Sequence, residues 1–339
     1  MSDPSKATPS SARLNDLLKA VSRSFYLTLS VLPAGLRHPI SLAYLLARTS
    51  DTIADTEVLA PKSRISALNE FEAAVTGNSE KECRFETFLT AQSHPKEREL
   101  IHRVGESLAL LHSMNETDRE LIRSVLKTII SGQRLDLERF KTASPKRIIC
   151  LEDAGDTDDY TYRVAGCVGE FWTKLCFRHL ATQPDTPPPE VMKNAVRFGK
   201  GLQLVNILRD FREDLAQGRC YLPRKRLARA GLSPEDLLTS GNDPAFLTVY
   251  REYINQARDH LLAGWTYTTH LPWRWIRLRL ACAWPVLIGL ETIDLISKPG
   301  CLLDHPTRKV SRADVRRIIL KTILLYPFPS RWSRLAEPR

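Results

Sequence analysis

Apolar residues recur at helical spacing along most of the chain, and strict alternation with a period of two is rare. This spacing predicts helices over segments such as 97–111, 118–140 and 249–268. Prolines, several of them beside Gly or Ser, separate the helical segments, and no repeat of fixed period is present. The pattern therefore predicts an all-α fold, arranged as a single large helical bundle.

Residues 199–219 combine an apolar helix surface with a narrow polar stripe. At about 100° per residue, amides and carboxylates fall on one line. They are Gln203, Asn206, Asp210, Glu213, Asp214 and Gln217. A surface helix shows a wide polar face instead, so we expect this stripe to face an internal cavity. Burying carboxylates costs several kcal/mol unless a cation compensates their charge.

A second carboxylate motif lies in residues 40–56. Tyr44, Arg48, Asp51 and Asp55 fall within about 60° of one another on a helical wheel. Both aspartate pairs have i,i+4 spacing, at which like charges repel by a few tenths of a kcal/mol even on an exposed helix. One such pair arises easily by chance on a solvated helix. Two pairs, each on an apolar segment, indicate a function.

Magnesium accounts for paired carboxylates of this kind. The ion prefers octahedral oxygen coordination, keeps several waters, and is typically held by one or two carboxylates plus substrate phosphates. Two facing pairs would hold a small Mg²⁺ cluster and, through it, a diphosphate, which Lewis-acid pull turns into a better leaving group. Ionisation at an allylic carbon leaves a carbocation, and a dry apolar cavity protects it from water.

Composition and charge restrict the partners and the compartment. The 339 residues carry a formal net charge of +10 at pH 7, which favours anionic partners: nucleic acid, anionic lipid or phosphorylated substrates. A nucleic-acid binder would place Arg and Lys stripes on its distinctive helices, and here those helices carry carboxylates, so we expect no nucleic acid. Seven scattered cysteines without zinc spacing, and no signal peptide or membrane-spanning apolar run, predict a reduced, cytoplasmic chain.

The two ends of the chain differ from its middle. Residues 1–12, rich in Ser and Pro, are predicted to be a disordered tail, residues 13–300 the helical domain, and residues 301–339 a basic extension. Within the extension, 308–334 mixes Arg and Lys with Ile, Leu, Phe and Trp. This mixture predicts an amphipathic segment that contacts anionic lipid at the inner membrane surface. The alternative is a solvated basic helix packed on the bundle.

Four motifs carry a resemblance to a known family. They are SRSF at 22–25, YLLARTSDTIAD at 44–55, YTYRVAGCVG at 160–169 and QLVNILRDFREDLAQGRCYLP at 203–223. In order and spacing the chain resembles the squalene/phytoene synthase family from about residue 20 to 295. The resemblance implies head-to-head joining of two prenyl diphosphates on the isoprenoid synthase fold, in which two Asp-rich helices flank a central cavity.

The resemblance also implies roles for individual residues. Asp51, Asp55, Asp210 and Asp214 correspond to the ligands of the Mg²⁺-diphosphate cluster. Tyr160 corresponds to the tyrosine near the developing cation, and Tyr162 is the alternative. The expected substrate-binding set is Ser22, Arg23, Phe25, Tyr44, Arg48, Val164, Gln203, Asn206, Arg209 and Arg219. Its serine and arginines would grip the diphosphate, since a guanidinium fork matches phosphate oxygens.

The same resemblance leaves the product open. A squalene-synthase-like member joins two farnesyl diphosphates to presqualene diphosphate and reduces this to squalene, with Mg²⁺ (or Mn²⁺) and NADPH. The alternatives are a phytoene or C30 carotenoid (dehydrosqualene) synthase, which needs no NADPH, and members that stop at presqualene diphosphate or form hydroxysqualene. Some relatives of this fold are non-catalytic assembly proteins that lost the aspartate pairs, and here both pairs are intact. We expect a monomer.

Overall fold

The computed structural model describes residues 16–19, 21, 25–78, 85–181, 186–238, 243–298 and 309–337. The chain forms two compact units, Met1–Leu137 and Glu138–Arg339. Helices make up almost all of the regular structure in both, which confirms the predicted all-α class. In the ranges described, every helix is too short or too polar to cross a membrane. The predicted disordered tail, 1–12, lies outside the described residues.

The first unit is built from helices joined by short connections. They are α1 (Phe25–Val31), α2 (Ala34–Ala54), α3 (Pro61–Thr76), α4 (Glu86–Ala91), α5 (Pro95–His102), α6 (Val104–Ser113) and α7 (Glu116–Arg139), whose last two residues belong to the second unit. Helix α2 packs against α3, α5 and α6. The helix predicted over 97–111 is wrong in one respect, because it is interrupted at Arg103, which joins α5 to α6.

The second unit contains the longer helices and a small sheet. Its elements are β1 (Ile149–Leu151), α8 (Ala154–Thr161), a π-helical turn (Tyr162–Gly166), α9 (Cys167–Leu180), α10 (Pro189–Arg209), α11 (Phe211–Ala216), β2 (Arg219–Pro223), α12 (Arg224–Arg229), a 3₁₀ turn (Glu235–Leu238), α13 (Pro244–His270), α14 (Ile276–Ile296), α15 (Arg312–Leu325), α16 (Pro329–Ser333) and a second 3₁₀ turn (Arg334–Ala336). Helix α10 packs along α13 and against α9, the π-helical turn and α14.

The stretch predicted as one helix over 199–219 is divided in the structure. Helix α10 begins ten residues earlier, at Pro189, and ends at Arg209, where Asp210 takes φ −92° and ψ 10°. Helix α11 then continues to Ala216, and the chain enters a strand at Arg219. The expectation of a continuous helix is therefore wrong at Asp210, where the helix is interrupted, and beyond Ala216, where a turn and a strand replace its last part.

Gly218 causes the change from helix to strand. Its φ of +82° lies in the left-handed region that side chains disfavour, and a Cβ there would lie 2.3 Å from the Ser144 carbonyl oxygen. The turn at Gly218 directs β2 alongside β1 in a parallel pair, with Ile149 opposite Arg219 and Cys150 opposite Cys220. Parallel strands need a long crossover connection, here residues 152–218, which includes α8 to α11.

Helices α9 and α10 approach each other at two glycines. A Cβ on Gly169 would lie 2.0 Å from the Ala195 carbonyl oxygen, and one on Gly199 would lie 2.1 Å from the Ala165 carbonyl oxygen. No real side-chain carbon tolerates such distances to backbone atoms. The glycines of the YTYRVAGCVG motif and of α10 therefore bring the π-helical turn against the helix that precedes Asp210.

Candidate active site

The first carboxylate motif lies at the C-terminal end of α2. Asp51 is in the last turn, and Asp55 directly follows the helix, donating its backbone N–H to the Asp51 carbonyl at 2.8 Å. The buried Arg64 donates from Nη1 to the Ala54 carbonyl at 2.7 Å and so satisfies an acceptor at the helix end. The predicted pairing of the two aspartates on one face of this helix end agrees with the structure.

Tyr44 and Arg48 lie on the same helix, about two turns and one turn before Asp51, respectively. The Tyr44 hydroxyl is 3.4 Å from the Val21 carbonyl, to which it donates. Arg48 donates from Nη2 to Glu97, and its Nη1 lies 3.8 Å from an Asp51 oxygen. The guanidinium thus sits between two carboxylates with 26% of its side chain exposed, where a diphosphate would compete for it.

Gln133 fixes the orientation of Asp51. From helix α7 it donates its Nε2 hydrogen to Asp51 Oδ1 at 2.7 Å, and the side chain is buried. Its Oε1 atom is buried without a hydrogen-bond partner among the described residues. The Asp51 side chain is 44% exposed. Even so, the surrounding protein removes part of the water around its carboxyl, and this desolvation, together with the charge of Asp55, raises the pKa of Asp51 to about 6.

The second carboxylate motif spans the break between α10 and α11. The Asp210 N–H donates to the Asn206 carbonyl, and the Asp214 N–H donates to the Asp210 carbonyl, each at 2.9 Å. Helical hydrogen bonding therefore continues across the break, so Asp210 and Asp214 stay one turn apart as predicted. Arg209 donates to both Asp210 oxygens, from Nε at 2.7 Å and from Nη2 at 2.5 Å. This bidentate pair neutralises Asp210.

The polar stripe around this motif is open to water, whereas the apolar side is packed. Asn206 is exposed, and Gln203, Asp210 and Asp214 are half-buried. The apolar positions from Leu204 to Leu215 that the sequence assigned to the other faces are buried, namely Leu204, Val205, Ile207, Leu208, Phe211 and Leu215. The predicted segregation is thus confirmed, while the cavity that the stripe was expected to face stays a prediction.

Tyr160 and Tyr162 have different surroundings. Tyr160 is buried and stacks on Tyr221 of β2, with ring centroids 4.8 Å apart. Tyr162 donates its hydroxyl to Glu170 at 2.8 Å, and burial together with this carboxylate raises its pKa to about 12. Tyr160 thus lies beside the strand that carries Arg219. Which of the two rings meets the substrate stays a prediction.

The remaining predicted residues are placed unevenly. Val164 lies half-buried in the π-helical turn, a local widening of the helix that occurs often at functional sites, and the half-buried Arg219 begins β2. Ser22 and Arg23 lie outside the described residues. Phe25 begins α1, and nothing is described of its side chain. The roles assigned to all these residues stay predictions.

Several contacts of the site were missed from the sequence: Gln133, Glu97, Arg64 and Tyr221. Gln133 could have been found from the sequence. Ile122, Leu126 and Ile130 of α7 are buried at helical spacing, and this spacing predicts an apolar residue near position 133. A buried amide at such a position indicates a polar partner. Glu97, by contrast, lies far from Arg48 in the sequence, and no local pattern connects them.

The donor chemistry at both motifs suits magnesium. Each motif supplies two aspartates that water can reach. One aspartate of each motif is held in place, Asp51 by the Gln133 amide and Asp210 by the Arg209 guanidinium. Across the part of the chain described, no cluster of three or more His, Cys, Asp or Glu side chains forms a closed metal cage. Mg²⁺ does not require one, since it is typically held by one or two carboxylates, waters and substrate phosphates. Asp51 and Asp55, and likewise Asp210 and Asp214, are the residues that fit the ion.

An all-α chain with two aspartate motifs of this type belongs to a definable class of proteins. The family model described as squalene/phytoene synthase matches residues 18–314. The chain therefore belongs to the squalene/phytoene synthase family, whose members are prenyltransferases acting on prenyl diphosphates. This confirms the resemblance carried by the four motifs.

Curated relatives include enzymes with different products. The chain is similar to the squalene synthase of Schizosaccharomyces pombe, with 24% identity over 92% of this chain and 65% of the relative. It is also similar to the bifunctional lycopene cyclase/phytoene synthase of Colletotrichum graminicola, with 29% identity over 70% of this chain and 39% of the relative. The presqualene diphosphate synthase of Zymomonas mobilis is 29% identical over 72% of this chain and 71% of the relative. The chain thus spans less than two thirds of the first two relatives.

Solved structures confirm the fold. The TcSQS complex with the ligand E5700 superposes with a TM-score of 0.75 at 20% identity, covering 97% of both chains. A dehydrosqualene synthase in complex with ligand superposes with a TM-score of 0.67 at 21% identity, covering 94% of this chain and 96% of that one. The predicted isoprenoid synthase fold is therefore confirmed.

Proposed function

We propose that this chain joins two farnesyl diphosphates head to head to presqualene diphosphate and reduces this intermediate to squalene. The observation that carries the proposal is the pair of intact aspartate motifs on otherwise apolar helices, each with an arginine that could pass from a carboxylate to a phosphate. Family membership supports the reaction class. The similarity to a squalene synthase over 92% of the chain supports the product.

In this proposal the chain's own residues bind and orient the diphosphates. Arg48 leaves Glu97, and Arg209 leaves Asp210, when phosphate oxygens arrive to take their place. Bound at Asp51, Asp55, Asp210 and Asp214, Mg²⁺ would withdraw electrons from the diphosphate and so promote its departure. The buried apolar side chains behind each motif would keep water from the allylic cation.

Tyr160 is the proposed aromatic residue near the developing cation. Its ring stacks on that of Tyr221, with 25° between the two ring planes, and this contact holds the ring in place. A phenol face stabilises a nearby cation electrostatically, and the hydroxyl is able to accept or return a proton. NADPH would supply the hydride for the reductive step.

Product analysis with and without NADPH tests the proposal. Purified chain, farnesyl diphosphate and Mg²⁺ should release inorganic diphosphate and give presqualene diphosphate; adding NADPH should convert the product to squalene. Gas chromatography with mass spectrometry of the extracts, after phosphatase treatment, identifies both. A preparation that releases no diphosphate from farnesyl or geranylgeranyl diphosphate would overturn the proposal.

The second candidate is a phytoene or C30 carotenoid synthase. It is favoured by the 29% identity to a bifunctional lycopene cyclase/phytoene synthase over 70% of the chain. This candidate predicts a product that is the same with and without NADPH, and, for phytoene, faster diphosphate release from geranylgeranyl than from farnesyl diphosphate. The product analysis therefore separates the two candidates.

Gln133 provides a prediction about the proposed magnesium site. In Gln133→Leu, Asp51 loses the hydrogen bond that orients it, so we expect the Mg²⁺ concentration at half-maximal activity to rise about tenfold, as is typical when an outer partner of a ligand is removed. Manganese binding, followed by electron paramagnetic resonance without substrate, should weaken in parallel. Gln133→Glu serves as the comparison, because it keeps the shape and adds a charge. Unchanged metal affinity in Gln133→Leu, in a protein that folds normally, would refute this role.

A further inference from the structure

The second unit presents an apolar face that the proposed reaction does not use. Nine large hydrophobic side chains are exposed among the residues that the structure describes, and six of them belong to two neighbouring segments. They are Leu320, Ile323, Leu324 and Phe328 on and just after α15, Trp273 in the turn before α14, and Ile276 at the first position of α14. Trp273 stacks on Tyr326 at 4.2 Å, which joins the two segments. We name these six residues the C-terminal apolar face.

Helix α15 is firmly attached by its other side. Ile318 and Thr322 are buried, and Thr322 accepts from Trp284 Nε1 through its hydroxyl and from Trp332 Nε1 through its carbonyl. On the helical wheel Leu320 and Leu324 lie opposite Ile318 and Thr322. The exposed leucines are therefore on the face turned away from the protein, and they are not needed to hold the helix in place.

The chain after α15 adds a second attachment. Trp332 is fully buried and stacks on Trp265 at 4.8 Å, while the guanidinium of Arg279 lies 4.6 Å from the Trp332 ring and from the Trp273 ring. Trp265 Nε1 donates to the Ser333 carbonyl at 2.7 Å. The segment that follows α15 is therefore packed against α13 and helps to hold the C-terminal apolar face in place.

Cationic side chains surround this face. Residues 309–337 contain seven Lys and Arg against two acidic residues. Arg312, Arg316, Lys321 and Arg331 are exposed, and Arg316 and Lys321 lie within one helical turn of Leu320 and Leu324. An apolar strip bordered by cations matches the acyl region and headgroups of an anionic bilayer surface. A symmetric contact with a second copy would bring the same cations together, which disfavours that occupant.

We propose that the C-terminal apolar face docks this chain onto an anionic lipid bilayer, with Leu320, Leu324 and Phe328 entering the interface and Arg316 and Lys321 contacting lipid phosphates. Trp273 lies at the edge of the face, where an aromatic ring with a polar atom suits the boundary between water and hydrocarbon. The proposal extends the function beyond catalysis and does not depend on which product the enzyme makes.

Vesicle flotation of the full chain tests the proposal. We expect binding to vesicles of phosphatidylcholine mixed with phosphatidylglycerol, and at least about tenfold weaker binding to phosphatidylcholine alone. Leu320→Gln/Leu324→Gln should weaken binding to the anionic vesicles by at least about tenfold, because two apolar side chains no longer leave water. Arg316→Gln/Lys321→Gln should weaken it by about fivefold per charge and reduce its dependence on salt.

Val58→Gln is the matched control, because Val58 is exposed and belongs to the first unit, whereas the C-terminal apolar face belongs to the second. It should bind like the original chain. All variants alter exposed positions, so their thermal unfolding and their diphosphate release from dissolved substrate should be unchanged, which separates failure of docking from failure of the proposed reaction. Absent vesicle binding, equal binding by Leu320→Gln/Leu324→Gln, or a dimer in sedimentation that this variant abolishes, would overturn the proposal.

Discussion

Replacement of Asp51 or Asp210 by asparagine is expected to reduce diphosphate release from farnesyl diphosphate by about 10²- to 10³-fold each, the loss that follows removal of one charge-stabilising group in an active site. Asparagine keeps the size of the side chain but removes the negative charge that holds a cation and, through it, the leaving group. Initial rates at saturating Mg²⁺, compared with rates at low Mg²⁺, measure the effect. The double variant should show no turnover above background.

Asp259→Asn is the control for this prediction. Asp259 is an exposed aspartate on α13, and the same chemical change there should leave the rate unaltered. The Asp51→Asn variant should also fold at least as well as the original chain, because asparagine removes a carboxylate whose pKa is raised by desolvation and by the charge of Asp55. Full activity of Asp51→Asn or Asp210→Asn would refute the assignment of these residues as metal ligands.

The two motifs differ in how their charges are held, which refines this prediction. Asp210 has a bidentate arginine beside it, whereas Asp51 has a neutral amide and an arginine shared with Glu97. Removing the carboxylate at 210 therefore frees Arg209, which remains able to bind phosphate. At 51 the asparagine oxygen still accepts from the Gln133 amide, and no arginine is released from a bidentate pair to bind the substrate instead. We expect the substrate KM to change less in Asp210→Asn than in Asp51→Asn.

Periodicity was sufficient to predict the elements that carry the aspartates. The spacing of buried residues in α2, α10 and α11 is regular, so the one-turn separation within each aspartate pair followed from the sequence, although the interruption at Asp210 did not. Periodicity does not show where a helix yields to a strand. Position 218 requires glycine because the backbone is left-handed there and the Ser144 backbone leaves no room for a Cβ. The local sequence around Gly218 does not reveal that contact with Ser144.

Contacts between distant segments account for most of what the sequence did not reveal. Gln133 is 82 positions from Asp51, and Tyr221 is 61 positions from Tyr160, so no local pattern pairs them.

The C-terminal segment shows a related limit of prediction from sequence. Its composition left open whether 308–334 packs on the bundle or faces lipid. In the structure α15 packs one face and exposes another, so the first alternative is correct for one side of the helix, and docking on lipid is the proposal for the other.

Gly169→Ala is expected to destabilise the second unit strongly. The new Cβ would lie 2.0 Å from the Ala195 carbonyl oxygen, so α9 and α10 must separate by more than an ångström to admit it. Both neighbouring atoms belong to backbone, which no rotamer change relieves. We expect a loss of about 3 kcal/mol or more in the free energy of unfolding, the upper range for overpacking, and a melting temperature lower by roughly 10 °C.

Gly105→Ala is the matched control, because Gly105 is also helical and no atom lies within 4 Å of the Cβ it would acquire. There the helix propensity of alanine should raise stability by about 0.5–1 kcal/mol. Gly199→Ala tests the reciprocal contact with Ala165 and should resemble Gly169→Ala. Melting of Gly169→Ala within two degrees of the original chain, on the order of 0.5 kcal/mol, would show that the helices yield easily. In that case the close approach could not be what holds the π-helical turn, with Val164, against the helix that precedes Asp210.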